Sequence, residues 1–195
     1  MSKVPFRQQA SEYDCVPTTF INGLSALFQR KEIPAAVIQK VFLYTLDSFE
    51  RGTHGQGTTL HATALLADWL ERCRLKNFGV KAVHLEGASV NFGPGSLVSK
   101  CLNAGGVALL GVTWGKNGHY ILALRHDARW VYAFDPYPIA HKNKKHVESL
   151  EFDGKQGPNC RILKQWLNVR SDKSNYRLGT IANRDCVLLS RSSDS

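Results

Sequence analysis

The feature that most constrains this chain is a change of hydrophobic rhythm near residue 80. Before it, apolar residues recur at helical spacing; after it, they run or alternate as in strands. In residues 16–30, Phe20, Leu24, Leu27 and Phe28 fall at i, i+4, i+7 and i+8, which is one face of a helix. Pro17 fits the first turn, where a missing N–H costs nothing. A second helical stretch follows Pro34 and runs to about Leu46. A third covers residues 60–75, with Thr58 or Thr59 as its cap. The glycine-rich segment between them lacks the Lys-Ser/Thr ending of a phosphate loop and reads as a flexible connection or a cleft edge.

Beyond residue 80, residues 80–85 alternate as a strand, and 96–106 form a short helix closed by glycines. Residues 107–114 are a nearly continuous apolar run, as expected of a central strand. Residues 119–124 and 130–135 flank the polar turn His126-Asp127-Ala128 and read as a β-hairpin. Residues 138–160 look like a long surface loop, followed by a short helix over 161–168 and a strand over 185–190. Helices first and strands later, with no βαβ alternation, predict an α+β fold with N-terminal helices on a C-terminal antiparallel sheet. At 195 residues the chain falls below the roughly 250–300 at which cores split, so 1–195 is one expected domain. Residues 138–195 would complete or decorate the sheet.

Several function classes recede on composition. No apolar run approaches the roughly 18–20 residues of a membrane span. The N-terminus has no apolar signal segment, so the cytoplasm is the default address, and export without a cleaved signal is the alternative. The net charge of +9 is spread along the chain, densest at His141–His146. That run reads as a solvated loop, with an acidic partner as the second reading. No nucleic-acid-binding motif is present, so nucleic acid is not the expected partner. The 5 cysteines are odd in number, widely spaced and without a C-x-x-C, which predicts free thiols. His54, His61 and His84 show no ligand spacing, so neither a metal nor a cofactor is expected. His126 should be solvated in its turn and Trp69 should be core. Trp114 is either core or, with Gly118, a wall of a substrate cleft.

The candidate chemistry centres on Cys15, directly before the first helix. A thiolate there faces unpaired N–H groups and the positive end of the helix dipole, which favours the reactive form. By position alone, a buried structural cysteine fits as well. His119 opens one strand of the hairpin and Asp135 closes the other. A three-residue turn centred on Asp127 would place them directly opposite, on one face of the sheet. The carboxylate would then hold one imidazole nitrogen and leave the other for a thiol. A register slip of one residue would separate them onto opposite faces. Without Cys15, the two would read as a structural cross-strand pair. Gln9, with Gln8 as the neighbouring alternative, lies just upstream of Cys15 and offers an amide for a developing oxyanion.

Taken together, Gln9, then Asp14-Cys15-x-Pro17-Thr18, then Gly118-His119-Tyr120-Ile121-Leu122, then Val131 through Asp135-Pro136, resemble the papain-like bacteriocin-processing peptidases, which cleave double-glycine leaders. The resemblance spans roughly residues 5–137. It implies a papain-like cysteine protease fold, a Cys15–His119–Asp135 triad and Gln9 in the oxyanion hole. One departure is Val16, where the family has glycine. A β-branched residue beside the thiol is expected to narrow the groove or to mark a branch with different chemistry. The expected activity is a cysteine hydrolase, peptidase or amidase, acting on a peptide or protein through an acyl-enzyme. The alternatives are an acyltransferase or transglutaminase-like enzyme with the same triad, or a non-catalytic binding domain.

Overall fold

In the computed structural model, which describes residues 3–50, 52–115, 117–137 and 145–192, the helical rhythm of the first half becomes three helices. These are α1 (Cys15–Leu27), α2 (Ala35–Tyr44) and α3 (Leu60–Arg72). Thr59 caps α3: its hydroxyl accepts from the Ala62 N–H at 3.2 Å. Asp47 in turn fixes Thr59, accepting from its N–H at 2.8 Å and its hydroxyl at 2.6 Å. The glycine-rich connection carries a small two-stranded ribbon, β1 (Phe49–Glu50) with β2 (Thr53–His54).

The second half supplies β3 (Val80–Glu86), α4 (Leu97–Asn103), β4 (Val107–Trp114), β5 (Asn117–His126) and β6 (Trp130–Phe134). It continues with β7 (Val147–Ser149), β8 (Cys160–Leu163), α5 (Lys164–Leu167) and β9 (Asp185–Arg191). Strands β3 to β9 form one sheet in the order β3-β9-β4-β5-β6-β8-β7, and every pairing is antiparallel. The fold is α+β.

Three expectations are corrected. The helix foreseen over 161–168 is a strand as far as Leu163 and helical only over Lys164–Leu167. Cys160 and Ile162 are buried, and β8 pairs with both β6 and β7, so sheet pairing overrides the local helical pattern. The region read as a surface loop contains β7, while residues 138–144, with most of the basic run, lie outside the described residues. His126 is the last residue of β5 rather than a turn residue, half-buried, with its Nδ1 2.7 Å from Lys164 Nζ.

The C-terminal strand does more than decorate the sheet. β9 lies between β3 and β4, pairing Val83 with Leu188 and Leu109 with Val187. Helices α1, α2 and α3 cover one face, where Phe20, Leu24, Leu66, Leu122, Phe134 and Leu189 pack. Full burial of a side chain such as Phe20 or Leu24 contributes about 1.5–3 kcal/mol. The opposite face packs Leu110, Ile121, Ile162, Leu167 and Tyr176. Gly23 brings α1 down onto the strands: a Cβ there would stand 3.3 Å from the Leu109 and Leu189 side chains. That close approach sets the height at which Cys15 meets the end of the sheet.

Candidate active site

Asp14 is the N-cap of α1, but its side chain does not cap the helix. It turns back instead and accepts from the N–H groups of Ala10 at 2.9 Å and Ser11 at 2.6 Å, and from the Ser11 hydroxyl at 2.6 Å. Burial works against the charged carboxylate, but these donors outweigh it and hold the Asp14 carboxyl below its usual range. The Cys15 and Val16 N–H groups are thus left without an Asp14 side-chain cap. Pro17, with no N–H, needs none. Cys15 stands at the positive end of the helix and is partly exposed.

The hairpin brings His119 and Asp135 together by a route that the sequence does not announce. Near the turn, His126 pairs with Val131 and Arg125 with Tyr132. Beyond Leu124 the register shifts, and Ala123 pairs with Ala133 and Leu122 with Phe134. Carried past Arg125 unchanged, the turn's register would put His119 and Asp135 on opposite faces. Leu124 is the one extra residue of a β-bulge, and the bulge restores the shared face. The two are therefore diagonal neighbours rather than directly opposed. Continuing the register one step places Asp135 against Ile121. The four residues 127–130 form the turn, with Asp127 Oδ1 accepting from the Arg129 and Trp130 N–H groups at 2.7 Å.

His119 Nε2 lies 2.7 Å from Asp135 Oδ1, and both residues are buried. With Nε2 committed, Nδ1 is the nitrogen left toward Cys15, which lies near enough to help raise the imidazole. Burial disfavours a charged imidazole. The Asp135 hydrogen bond and charge, aided by Cys15, outweigh it and raise His119 to about 9. The ring also packs against Trp114, with centroids 5.2 Å apart. Trp114 is half-buried, packing against the core of the sheet face opposite α1 and on Tyr176 and Tyr137 as well. Gly118 is exposed beside His119, and a Cβ there would meet nothing within 4 Å.

Two residues in the region beyond 137 complete the carboxylate's surroundings. The Tyr176 hydroxyl donates to Asp135 Oδ2, and the Tyr137 N–H donates to Oδ1 at 2.8 Å. Burial and the adjacent carboxylate push the Tyr176 phenol well up, so it stays protonated and donates. Tyr176 adopts a left-handed backbone with φ of 58°, a conformation that costs a non-glycine residue about 1–2 kcal/mol. Its N–H donates to the Thr113 carbonyl at 2.9 Å, which helps hold that conformation. Asn159 clamps the Asp135 backbone, accepting from its N–H and donating to its carbonyl, both at 2.8 Å. No local pattern points to Tyr176 or Asn159, because they lie 41 and 24 residues from Asp135.

Of the two candidate glutamines, Gln9 turns inward and Gln8 is exposed. The segment before α1 is laid alongside the site by Asn22, which accepts from the Arg7 N–H and donates to the Arg7 carbonyl, both at 2.8 Å. The Gln9 N–H donates to the Pro136 carbonyl at 2.9 Å, next to Asp135. Gln9 Nε2 gives one hydrogen to the Ser11 carbonyl at 2.6 Å, and among the described residues Oε1 has no partner. A primary amide carries two N–H donors, so one remains for a ligand. Val16 is buried in the core at 2% exposure, so it does not narrow the groove as foreseen.

All five cysteines are free. Burial pushes the Cys73, Cys101, Cys160 and Cys186 thiols up, which makes them poor nucleophiles. His61 is exposed on α3, Trp69 is half-buried against Tyr44, and the His54 side chain lies outside the described residues. His84 has no ligand spacing in the sequence. In the fold it meets Asp185 across the β3–β9 pair, and His84, Glu86 and Asp185 place ligand atoms within 4.8 Å of one another. No helix among the described residues is long and apolar enough to cross a membrane. No protein-family model matches the chain, and no curated protein matches it at a significant level.

Proposed function

We propose that this chain is a papain-like cysteine hydrolase, related to the bacteriocin-processing peptidases, that cleaves a peptide or amide bond through an acyl-enzyme on Cys15. The observation that carries the reading is Cys15, at the N-terminus of α1, beside a buried His119–Asp135 hydrogen-bonded pair whose carboxylate is further held by Tyr176 and Tyr137. Structural His–Asp pairs are common, but a thiol at a helix N-terminus on the free nitrogen of the imidazole is the arrangement of an activated nucleophile.

His119 Nδ1 takes the proton of Cys15, and the sulfur attacks the carbonyl carbon of the scissile bond. The oxygen that becomes negative is met by the Cys15 N–H and by the second N–H of Gln9. His119 then gives its proton to the departing nitrogen, and an amine leaves with a thioester remaining on Sγ. Water, losing a proton to His119, attacks the thioester and regenerates the thiol. Asp135 holds the imidazole in the orientation that both proton transfers need.

The test is the alkylation rate of each cysteine in the folded protein between about pH 5 and 9, read by peptide mass spectrometry, followed by hydrolysis of a peptide library. The expected result is that Cys15 reacts fastest near pH 6 and that Cys15→Ala abolishes hydrolysis. Equal reactivity of Cys15 and Cys101 would overturn the reading. Products that form only when an amine acceptor is added would replace water with an acyl acceptor and make the enzyme a transferase.

A further inference from the structure

A cavity of about 310 Å³ opens beside His119 at the end of the sheet, at the lower end of the size range of ligand pockets. Its floor is one row of the sheet. Gly111 on β4 pairs with Tyr120 on β5, and Glu86 on β3 pairs with Asp185 on β9. The β4–β9 ladder runs as far as Leu110 with Cys186, so the next step sets Gly111 against Asp185. Tyr120, Gly111 and Asp185 therefore lie side by side on three adjacent strands and face the same way. With no side chain at Gly111, a gap is left between the phenol and the carboxylate. A Cβ at Gly111 would stand 3.6 Å from that of Asp185.

Both flanking groups hold an unpaired polar atom. Among the described residues, the Tyr120 hydroxyl and Asp185 Oδ2 have no hydrogen-bond partner, although the residues are only 6% and 1% exposed. Leaving such atoms unpaired is costly, and each one calls for an explanation. Asp185 Oδ1 is taken by His84 Nε2, which leaves Oδ2 as the buried acceptor without a partner among the described residues. Asp172 adds a second carboxylate to the lining, and no lysine or arginine contributes to it among the described residues. In a chain of net charge +9, an acidic pocket is a local reversal.

We infer that this cavity receives a cationic side chain, an ammonium or guanidinium, of the polypeptide that Cys15 attacks. Its N–H donors are met by Asp185 Oδ2 and the Tyr120 hydroxyl. Such a group donates N–H hydrogens to both oxygens, and it neutralises buried negative charge. The inference rests on the cysteine hydrolase reading for its position, since the cavity reaches His119.

The test uses tripeptidyl chloromethyl ketones that differ in one residue: arginine, its neutral isostere citrulline, lysine, norleucine or glutamate. Each alkylates Cys15 with loss of chloride, and mass spectrometry gives the rate. The charged probe of at least one isosteric pair is expected to react about tenfold faster than its neutral partner. The faster of the arginine and lysine probes identifies the group. The advantage should fall toward unity in Asp185→Asn and shrink at least about twofold in Tyr120→Phe, which removes a single oxygen and carries the test if the first variant does not fold. Charged and neutral probes reacting alike in the wild-type protein, or glutamate reacting fastest, would overturn the inference. Chloroacetamide, too small to occupy the cavity, reports separately on the thiol. If it shows no preference for Cys15, the hydrolase reading fails. The cavity is then judged alone by NMR on Cys15→Ala, where n-butylguanidinium should bind at least about tenfold tighter than n-butylurea, and equal binding sinks it.

Discussion

The molecule contains two histidine–aspartate pairs built on one geometric plan. His119 and Asp135 are diagonal neighbours across β5 and β6, and His84 and Asp185 are diagonal neighbours across β3 and β9. In both, Nε2 faces Oδ1, and in both the imidazole pKa is raised, chiefly by the aspartate hydrogen bond at His84 and against strong burial at His119. The difference lies in what each pair touches next. His119 is buried and has the Cys15 thiol nearby, and Asp135 accepts from at least three donors. His84 is partly exposed with Glu86 nearby, and one buried oxygen of Asp185 has no partner among the described residues. A His–Asp pair is therefore not itself a catalytic signature. The group on the free imidazole nitrogen, and the saturation of the carboxylate, separate an oriented base from a binding group.

The largest expected effect breaks the symmetry between the two histidines. Replacing His119 by Ala should lower Cys15 alkylation near pH 6 by more than about tenfold, whereas His84→Ala should change it less than about threefold. A similar loss in both variants would show that the two pairs act as one network.

Next comes stability, measured by urea unfolding. Asp135→Ala strips partners from a buried imidazole, a phenol and a backbone N–H, and should cost about 3–5 kcal/mol. Asp185→Ala removes one partner from a partly exposed histidine together with an oxygen that has no partner among the described residues, and should cost about 1–2 kcal/mol. The reverse ranking would mean that Asp185 has partners of its own in solution.

The pH dependence sharpens the same contrast. His119 is raised from 6.5 to about 9 in the folded protein. A raised imidazole contributes stability that is fully present below the unfolded value of about 6.5 and is lost as pH rises through about 9. Unfolding free energy should therefore decline across that window. The His119 ring resonance should titrate near 9, and in Asp135→Asn the midpoint should fall. A midpoint near 6.5 in the wild-type protein would show that Asp135 does not hold a charged ring.

Smaller effects test the surroundings of the triad. Tyr176→Phe removes one donor to Asp135 and should cost about 1 kcal/mol, with a severalfold loss of Cys15 reactivity. Gly118→Ala should leave the unfolding free energy within about 0.5 kcal/mol, because nothing stands within 4 Å of the new methyl. It should still slow bulky alkylating probes relative to chloroacetamide, since Gly118 lines the cavity beside His119.

Short-range pattern determined much of this protein. The helical spacing of Phe20, Leu24 and Phe28, and the apolar run of 107–114, sufficed for α1, β4 and the α+β class, because such signals operate within a few residues. The same range covers Cys15 at a helix start, Gly118-His119 at the opening of a strand and Asp135 before Pro136. Tertiary structure alone decided the rest. A bulge at Leu124, invisible to spacing rules, chose the face that His119 and Asp135 share. β9 crossed the chain to lie between β3 and β4, which set Asp185 beside Gly111 and Tyr120. Tyr176 and Asn159 reached Asp135 from 41 and 24 residues away. A strand's own side chains specify that it pairs; which distant strand it meets, and in what register, depends on how the whole sheet buries its two faces.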